Sequence, residues 1–347
     1  MNLYNKTAGL DLQIKNFKTE TQEKQVSKHF TRRTTIVKLS GKGETGKGED
    51  VIWEAEKHKY PKLNLKGSYS FQEFSEKLDE TQIFPDEVEH TETDEKYRRW
   101  ALESAALDLA LKQNKLSLAE ALDKEYSPVS FVVSPSMNSP DIEKLEQLIE
   151  VNPGIEFKLD ASEDWSQEFM EQLADMDRVR AVDLKGHYED ENVKMQPNPK
   201  IYKLVAERLD ALIEDPLYTD ETQKVLKGFE NRVTWDKTIT SVQTVKELSF
   251  KPDYLNIKPS RFGKIQKLLD TIQHCQTKNI KMYGGGQFEL GIGRSHIHAL
   301  ASIFYPNGPN DVAPRIYNQE EVPDNPPKSP LKPEENLKGL EWNYKQD

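Results

Sequence analysis

Polar and apolar positions change their rhythm once along this chain. Residues 1–60 alternate with the period of strands: LDLQIKNF reads in and out, and TTIVKLS runs into the glycine-rich GKGETGKGED, which predicts a strand entering a hairpin. Residues 71–125 shift to helical spacing, with FQEFSEKL, the long YRRWALESAALDLALKQ and SLAEAL. In the long helix Trp100, Ala101, Ser104, Ala105, Leu107, Asp108, Leu109 and Leu111 form a small-residue face suited to close packing. From Pro128 short apolar runs alternate with amphipathic stretches. SFVVS, IEFKL, RVRAVDL, DALIE, RVTWD, YLNIK and IKMYG read as strands, with DIEKLEQLIEV, SQEFMEQLADM, NPKIYKLVAERL, DETQKVLKG, VQTVKELS and FGKIQKLLDTIQHCQ as helices between them. Such alternation predicts a parallel sheet, and a closed barrel rather than an open one if consecutive strand ends share chemistry.

They do share it. Asp183, Glu214, Asp236 and Lys258 each close one apolar run, at successive distances of 31, 22 and 22 residues. In a parallel barrel these side chains converge on the mouth where barrel enzymes keep their chemistry. Three carboxylates suit a hard divalent cation such as Mg²⁺, which takes oxygen ligands. A cation holding a substrate carboxylate would stabilise an enediolate, so that a weak carbon acid can lose its proton. Lys258 is the candidate base. Lys158 and Asp160 lie two apart on one strand and face one side; Lys158 would then lie across the mouth from Lys258. In YGGGQFELGIGR, Gly284, Gly285 and Gly286 are expected to expose backbone N–H groups before a helix start, and Glu289 to hydrogen-bond a lysine or a substrate.

Other patterns carry less. GKGETG fits a dinucleotide fingerprint, but Gly48 follows Lys47 where a phosphate loop needs Ser or Thr, and no helix follows. His296 and His298 are two apart on a helix and point away from each other; His187 is the one histidine expected near the mouth. A net charge of −11 argues against nucleic acid or anionic lipid as a partner. One cysteine, Cys275, and the lack of an apolar run long enough to span a bilayer fit a soluble protein of a reducing compartment, the cytoplasm. The proline-rich DNPPKSPLKP is expected to be extended, with LKGLEWNY docking back through Leu340 and Trp342.

Several of these stretches, taken in order, resemble the enolase superfamily, in the layout of its muconate-cycloisomerase and o-succinylbenzoate-synthase-like branch. They are FTRRTTIVKL with TGKGED, WALESAALDLAL, LIEDPL, NIKPSRFG and YGGGQFELGIGR. The resemblance implies an α+β capping domain (residues 1–127), a modified (β/α)₇β TIM-type barrel (128–318) and a C-terminal segment (319–347) docking on the cap. It also implies Mg²⁺ on Asp183, Glu214 and Asp236, Lys258 as the sixth-strand lysine, Glu289 as the seventh-strand glutamate, and a dimer or larger oligomer. The expected activity is that of a lyase or isomerase removing the proton α to a carboxylate of a small acid. Specificity would lie in cap loops at 17–32 and 50–60.

Three departures bear on this. Asp160 stands where the family's second strand carries a second lysine, Lys185 follows Asp183 by two where the family has asparagine, and Lys237 follows Asp236. Two added cations would weaken Mg²⁺ if they pointed inward, or would bind a more acidic substrate. Lys185, Lys237, Asp160, Gly285 and Gly286 are therefore expected to bind substrate, with Lys258, Lys158 and Glu289 in the chemistry. The competing expectation is a non-catalytic relative that binds a small anion through Lys158, Lys185, Lys237 and Lys258 without a metal.

Overall fold

The structure, a computed structural model, describes residues 2–27, 30–135, 141–188, 194–319 and 321–345. The N-terminal part runs α1 (Asn5–Ala8), β1 (Asp11–Ile14), β2 (Asn16–Ser27), β3 (Phe30–Gly41), β4 (Glu44–Asp50), β5 (Gly67–Ser70), α2 (Phe71–Asp79), α3 (Glu92–Gln113) and α4 (Leu118–Ala121). Strands β2, β3 and β4 form an antiparallel sheet, and β1 pairs with β5. The glycine-rich stretch is a hairpin, turned at Lys42 and Gly43 with φ of 50° and 82°. Gly46 and Gly48 face the small-residue face of α3. A Cβ on Gly46 would stand 2.2 Å from the Ala105 carbonyl oxygen, and one on Gly48 2.0 Å from that of Ala101. Strand and helix come so close here that only glycine fits on the strand.

The barrel follows. Its helices are α5 (Ile142–Val151), α6 (Gln167–Met176), α7 (Pro199–Arg208), α8 (Asp220–Leu226), α9 (Val242–Lys246), α10 (Ile265–Thr277) and α11 (Ile292–Phe304). Its named strands are β6 (Phe157–Asp160), β7 (Val179–Asp183), β8 (Leu212–Glu214), β9 (Val233–Thr234), β10 (Tyr254–Ile257) and β11 (Lys281–Gly284). Pairing is parallel from β6 to β9 and between β10 and β11, and the Asn256 N–H donates to the Trp235 carbonyl across the remaining step. Single bridges close the ring: Val133 to Phe157, Phe131 to Asn310, and Gly285 to Asp311. The two remaining staves are thus residues 129–133 at the start and residues 310–312 at the end. The latter carries no periodic signal, so periodicity alone reads seven strands.

Two side chains of the N-terminal part lock onto the β11–α11 turn. The Glu49 carboxylate accepts from the N–H groups of Leu290 (2.6 Å), Gly291 (3.0 Å) and Gly293 (2.7 Å). The Arg32 guanidinium donates to the carbonyls of Val51, Ile52, Gln287 and Phe288. Both are fully buried. The C-terminal segment pairs Leu331 with Val129, and the Leu340 N–H donates to Asp108 on α3. Leu340 and Trp342 are buried.

Candidate active site

Parallel register aligns Asp160 with Asp183 and Asp183 with Glu214, so consecutive strand-end acids arrive side by side. Asp236 follows β9 at the same level. The three acids Asp183, Glu214 and Asp236 are buried, and one oxygen from each lies within 4.8 Å of the others.

Two buried lysines flank them. Lys158 Nζ stands 2.5 Å from Glu214 Oε1, 3.7 Å from Asp311 Oδ2 and 3.9 Å from Asp183 Oδ2. On the other side Lys258 Nζ donates to Asp236 Oδ2 at 2.8 Å, an oxygen that also accepts from Arg261 Nη2 at 3.0 Å. Burial works against both ammonium charges, but Glu214 and Asp311 hold Lys158, and Asp236 holds Lys258, protonated beyond the usual lysine range. Burial and the neighbouring Glu214 charge push the Asp183 carboxyl up. Asp236 goes the other way: burial alone would raise it, but Arg261 and Lys258 bring it well below the carboxylate range. Behind it Asp215, in left-handed backbone (φ 48°), accepts from the N–H groups of Asp236 (2.8 Å) and Lys237 (2.9 Å). Burial and the Asp236 charge push its carboxyl up to about 6.

The donor set fits a hard divalent cation. All three ligands are carboxylates, and Asp236 Oδ1 is buried with no hydrogen-bond partner. A buried anionic oxygen without a donor is costly unless a cation answers it.

The two charge departures on β6 and β7 answer each other. Lys185 Nζ lies 2.7 Å from Asp160 Oδ2, so the acid on one strand holds the lysine after the next. Lys185 and Lys237 both line the cavity above the triad, which has a volume of about 950 Å³, as do Lys158, Asp160, Asp183, Lys258, Gly286 and Glu289.

For two of the three glycines in the turn after β11, Gly284 and Gly285, the expectation of an exposed N–H needs correction. The Gly284 N–H donates to Asn310 and the Gly285 N–H to the Ile257 carbonyl, so neither is offered to an anion. The glycines serve close approach instead: a Cβ on Gly285 would stand 2.8 Å from Lys258 Cε, and one on Gly286 2.1 Å from Glu289 Oε2. The anion at the start of α11 is the protein's own Glu49. Glu289 accepts from the Gln287 N–H at 2.8 Å and has no lysine partner among the described residues. His187 is held at the Pro216 carbonyl, off the cavity wall. Of the two cap loops, 17–32 is mostly the β2–β3 ribbon, with residues 28–29 outside the described residues. Phe30, Trp53 and Glu54 are its and its companion's contributions to the cavity.

Sequence reasoning missed several neighbours. Arg261 lies three residues after Lys258 inside NIKPSRFG, and Asn256 two before it, where strand alternation points it inward; its Nδ2 donates to Glu214 at 3.2 Å. Tyr283, two before Gly285, donates its hydroxyl to Glu214. Tyr188 (3.4 Å from Asp236) and Asp311 had no legible signal, one lying in a loop and the other on the unpatterned eighth strand.

Residues 125–319 match the C-terminal domain, and residues 5–121 the N-terminal domain, of a family described as a domain of unknown function, DUF8230. The chain belongs to the DUF8230 family. Its relatives include an o-succinylbenzoate synthase of Bacillus subtilis, 27% identical over 232 residues (61% of this chain and 58% of the relative). An N-succinylamino acid racemase of Amycolatopsis is 26% identical over 63% of this chain and 61% of its own length. The chain thus spans about three fifths of the curated relatives it matches. A solved muconate cycloisomerase from Pseudomonas fluorescens superposes over 96% of this chain and 97% of its own, with a TM-score of 0.67 at 15% identity. A dipeptide epimerase from Enterococcus faecalis gives 0.62 at 17%, over 87% of this chain and 90% of its own. The DUF8230 chain therefore carries the enolase-superfamily fold, a capped TIM-type barrel. No helix among the described residues is long and apolar enough to cross a membrane.

Proposed function

We propose that this chain is a Mg²⁺-dependent lyase or isomerase that removes the proton α to a carboxylate of a small acid. The observation that supports this reading best is the buried triad Asp183, Glu214 and Asp236 with a lysine on either side. The three carboxylates would hold the cation, which supplies electrostatic stabilisation of the charge that develops on the substrate carboxylate. Lys258 would take the α proton as the neutral amine, a form that a cation held on Asp236 favours by engaging that carboxylate and repelling the ammonium; Lys158 would carry a proton on the opposite side, and Arg261 orients Asp236. Glu289, fixed by the Gln287 N–H, closes the far wall. The curated relatives, a synthase of o-succinylbenzoate and a racemase of N-succinylamino acids, favour the same reading.

Mn²⁺ titration followed by EPR, on the intact protein and on Glu214→Gln, is the test. One tight site, lost in the variant, is expected, together with metal-dependent exchange of a substrate α proton in D₂O that Lys258→Ala abolishes. The absence of a site at millimolar metal would sink the proposal. A non-catalytic anion-binding role is the second reading, favoured by the 2.5 Å Lys158–Glu214 pair, in which the protein neutralises its own triad. It requires anion binding that is unchanged by a chelator.

A further inference from the structure

We propose that Tyr97, carried by the cap helix α3, contacts the substrate: its hydroxyl donates a hydrogen bond to an uncharged oxygen of the acid on the Lys258 side of the mouth. The substrate class this selects is an acid with a hydroxyl, ether or carbonyl oxygen besides its carboxylate. This rests on the reading above, in which the carboxylate lies at the triad. Of the tyrosines near the triad, Tyr283 has spent its hydroxyl on Glu214, and Tyr188 donates to Asp236 at 3.4 Å. Tyr97 lines the same cavity and is 4% exposed, yet its hydroxyl has no hydrogen-bond partner among the described residues. Buried tyrosine hydroxyls ordinarily find one.

The hydroxyl stands among the charges of the proposed chemistry. Burial pushes it up, Arg261 and Lys258 pull it down, and Asp236 and Glu289 oppose them; burial dominates, so the phenol stays a neutral donor. Lys258 is the lysine that acts most strongly on it, which sets the hydroxyl on that side of the mouth. The cavity wall there also carries Glu92 and Asp94, from the first turn of α3, and Glu289. These acids disfavour a second anion beside Tyr97, and a neutral donor suits an uncharged acceptor.

Tyr97 is held rigidly in this position. Its ring packs in a small apolar cluster of the cap with Val51, Ile52, Phe84 and Val88, so that the polar end is the part left to the cavity. The next two residues are anchored elsewhere. Arg98 donates to Asp50 at 3.0 Å, with its guanidinium carbon 3.8 Å from the centre of the Phe84 ring, and Arg99 donates to Glu103 (2.7 Å) and Asp79 (3.0 Å). With about 100° between successive helical residues, these anchors fix the direction of Tyr97. The helix is fixed to the barrel as well. The Ile265 N–H donates to Glu103 at 2.7 Å, and a Cβ on Gly263, two residues after Arg261, would stand 3.2 Å from Lys96 Cα. The cap thus delivers Tyr97 beside the turn that carries Lys258 and Arg261.

The test is calorimetry in saturating Mn²⁺ with pairs of acids that differ by one uncharged oxygen. The pairs are 3-methoxypropionate against valerate, 4-methoxybutyrate against hexanoate, and 4-oxopentanoate against 4-methylpentanoate. At least one oxygen acid is expected to bind about three-fold or more tighter than its hydrocarbon partner. Tyr97→Phe, which keeps the ring, should erase that preference. Its Mn²⁺ affinity, its affinity for the hydrocarbon acids and its thermal melt should stay those of the parent, which a merely structural role of the hydroxyl would not give. Equal affinities in every pair, no measurable binding of any acid, or a preference that Tyr97→Phe leaves intact would overturn the role of Tyr97; with the Mn²⁺ site present, the metal reading would stand. A Tyr97-dependent preference in a protein that binds no Mn²⁺ would do the reverse.

Discussion

The floor and the wall of the barrel mouth use the same chemistry, a lysine against a carboxylate, at similar distances. Lys158–Glu214 spans 2.5 Å and Lys185–Asp160 spans 2.7 Å. Burial separates them: the first pair is 2% and 0% exposed at its side chains, the second 21% and 55%. In the floor each charge has lost its water and depends on its partner, so the pair is fixed until another charge replaces one member. On the wall, water shares the work and the lysine stays available. The proposed function, with a cation below and a substrate above, needs both kinds.

Breaking the floor should cost most. Lys158→Ala leaves Glu214 without its ammonium in a buried setting, and a loss of about 3–5 kcal/mol in unfolding free energy is expected from urea denaturation. A loss below about 1 kcal/mol would mean that water reaches the floor and that the contrast with the wall is false.

A buried group with no counter-charge tests the same rule from the other side. His296 has neither ring nitrogen partnered, and burial presses it down to about 3; burial likewise presses His298 to about 4. Both are neutral in the fold but take a proton at about 6.5 when unfolded, so the unfolded state binds more protons as pH falls. Stability should be full above pH 6.5 and decline from there toward pH 4, by about 1.4 kcal/mol per pH unit for each histidine. His298→Gln should remove its share of that slope, measured by denaturant melts across the range; an unchanged slope would contradict its burial as a neutral ring.

The wall should cost least. Lys185→Gln is expected to change unfolding free energy by no more than about 1 kcal/mol, with thermal melts nearly superimposed on the parent's. A larger loss would make the Asp160 pair structural and remove the contrast with Lys158.

How much of this was legible in the chain follows from what each residue touches. Asp183, Glu214, Asp236 and Lys258 were readable because one residue closes each strand and strand ends recur at βα spacing. Lys158 and Asp160 were readable because strands alternate. The small face of α3 announced a close neighbour, though not that Gly46 and Gly48 would be it. By contrast, Gly284 and Gly285 were misread as part of an anion cradle. Their N–H groups are consumed by Asn310 and Ile257, partners 26 and 28 residues away in sequence, and the start of α11 is capped by Glu49 from the other end of the chain. Asp311 was invisible because the eighth strand consists of a few bridges with no repeat.

The sequence by itself determined the alternation of elements, the barrel and the list of charged strand ends, because those depend on local period and spacing. Only the tertiary structure decided which charge meets which. The Asp160 and Lys185 departures, separately puzzling, become one ion pair when register sets β6 beside β7. Lys158 and Lys258 become different from Lys185 and Lys237 only through burial. Desolvation is a property of everything packed around a group, and no local stretch of sequence contains it.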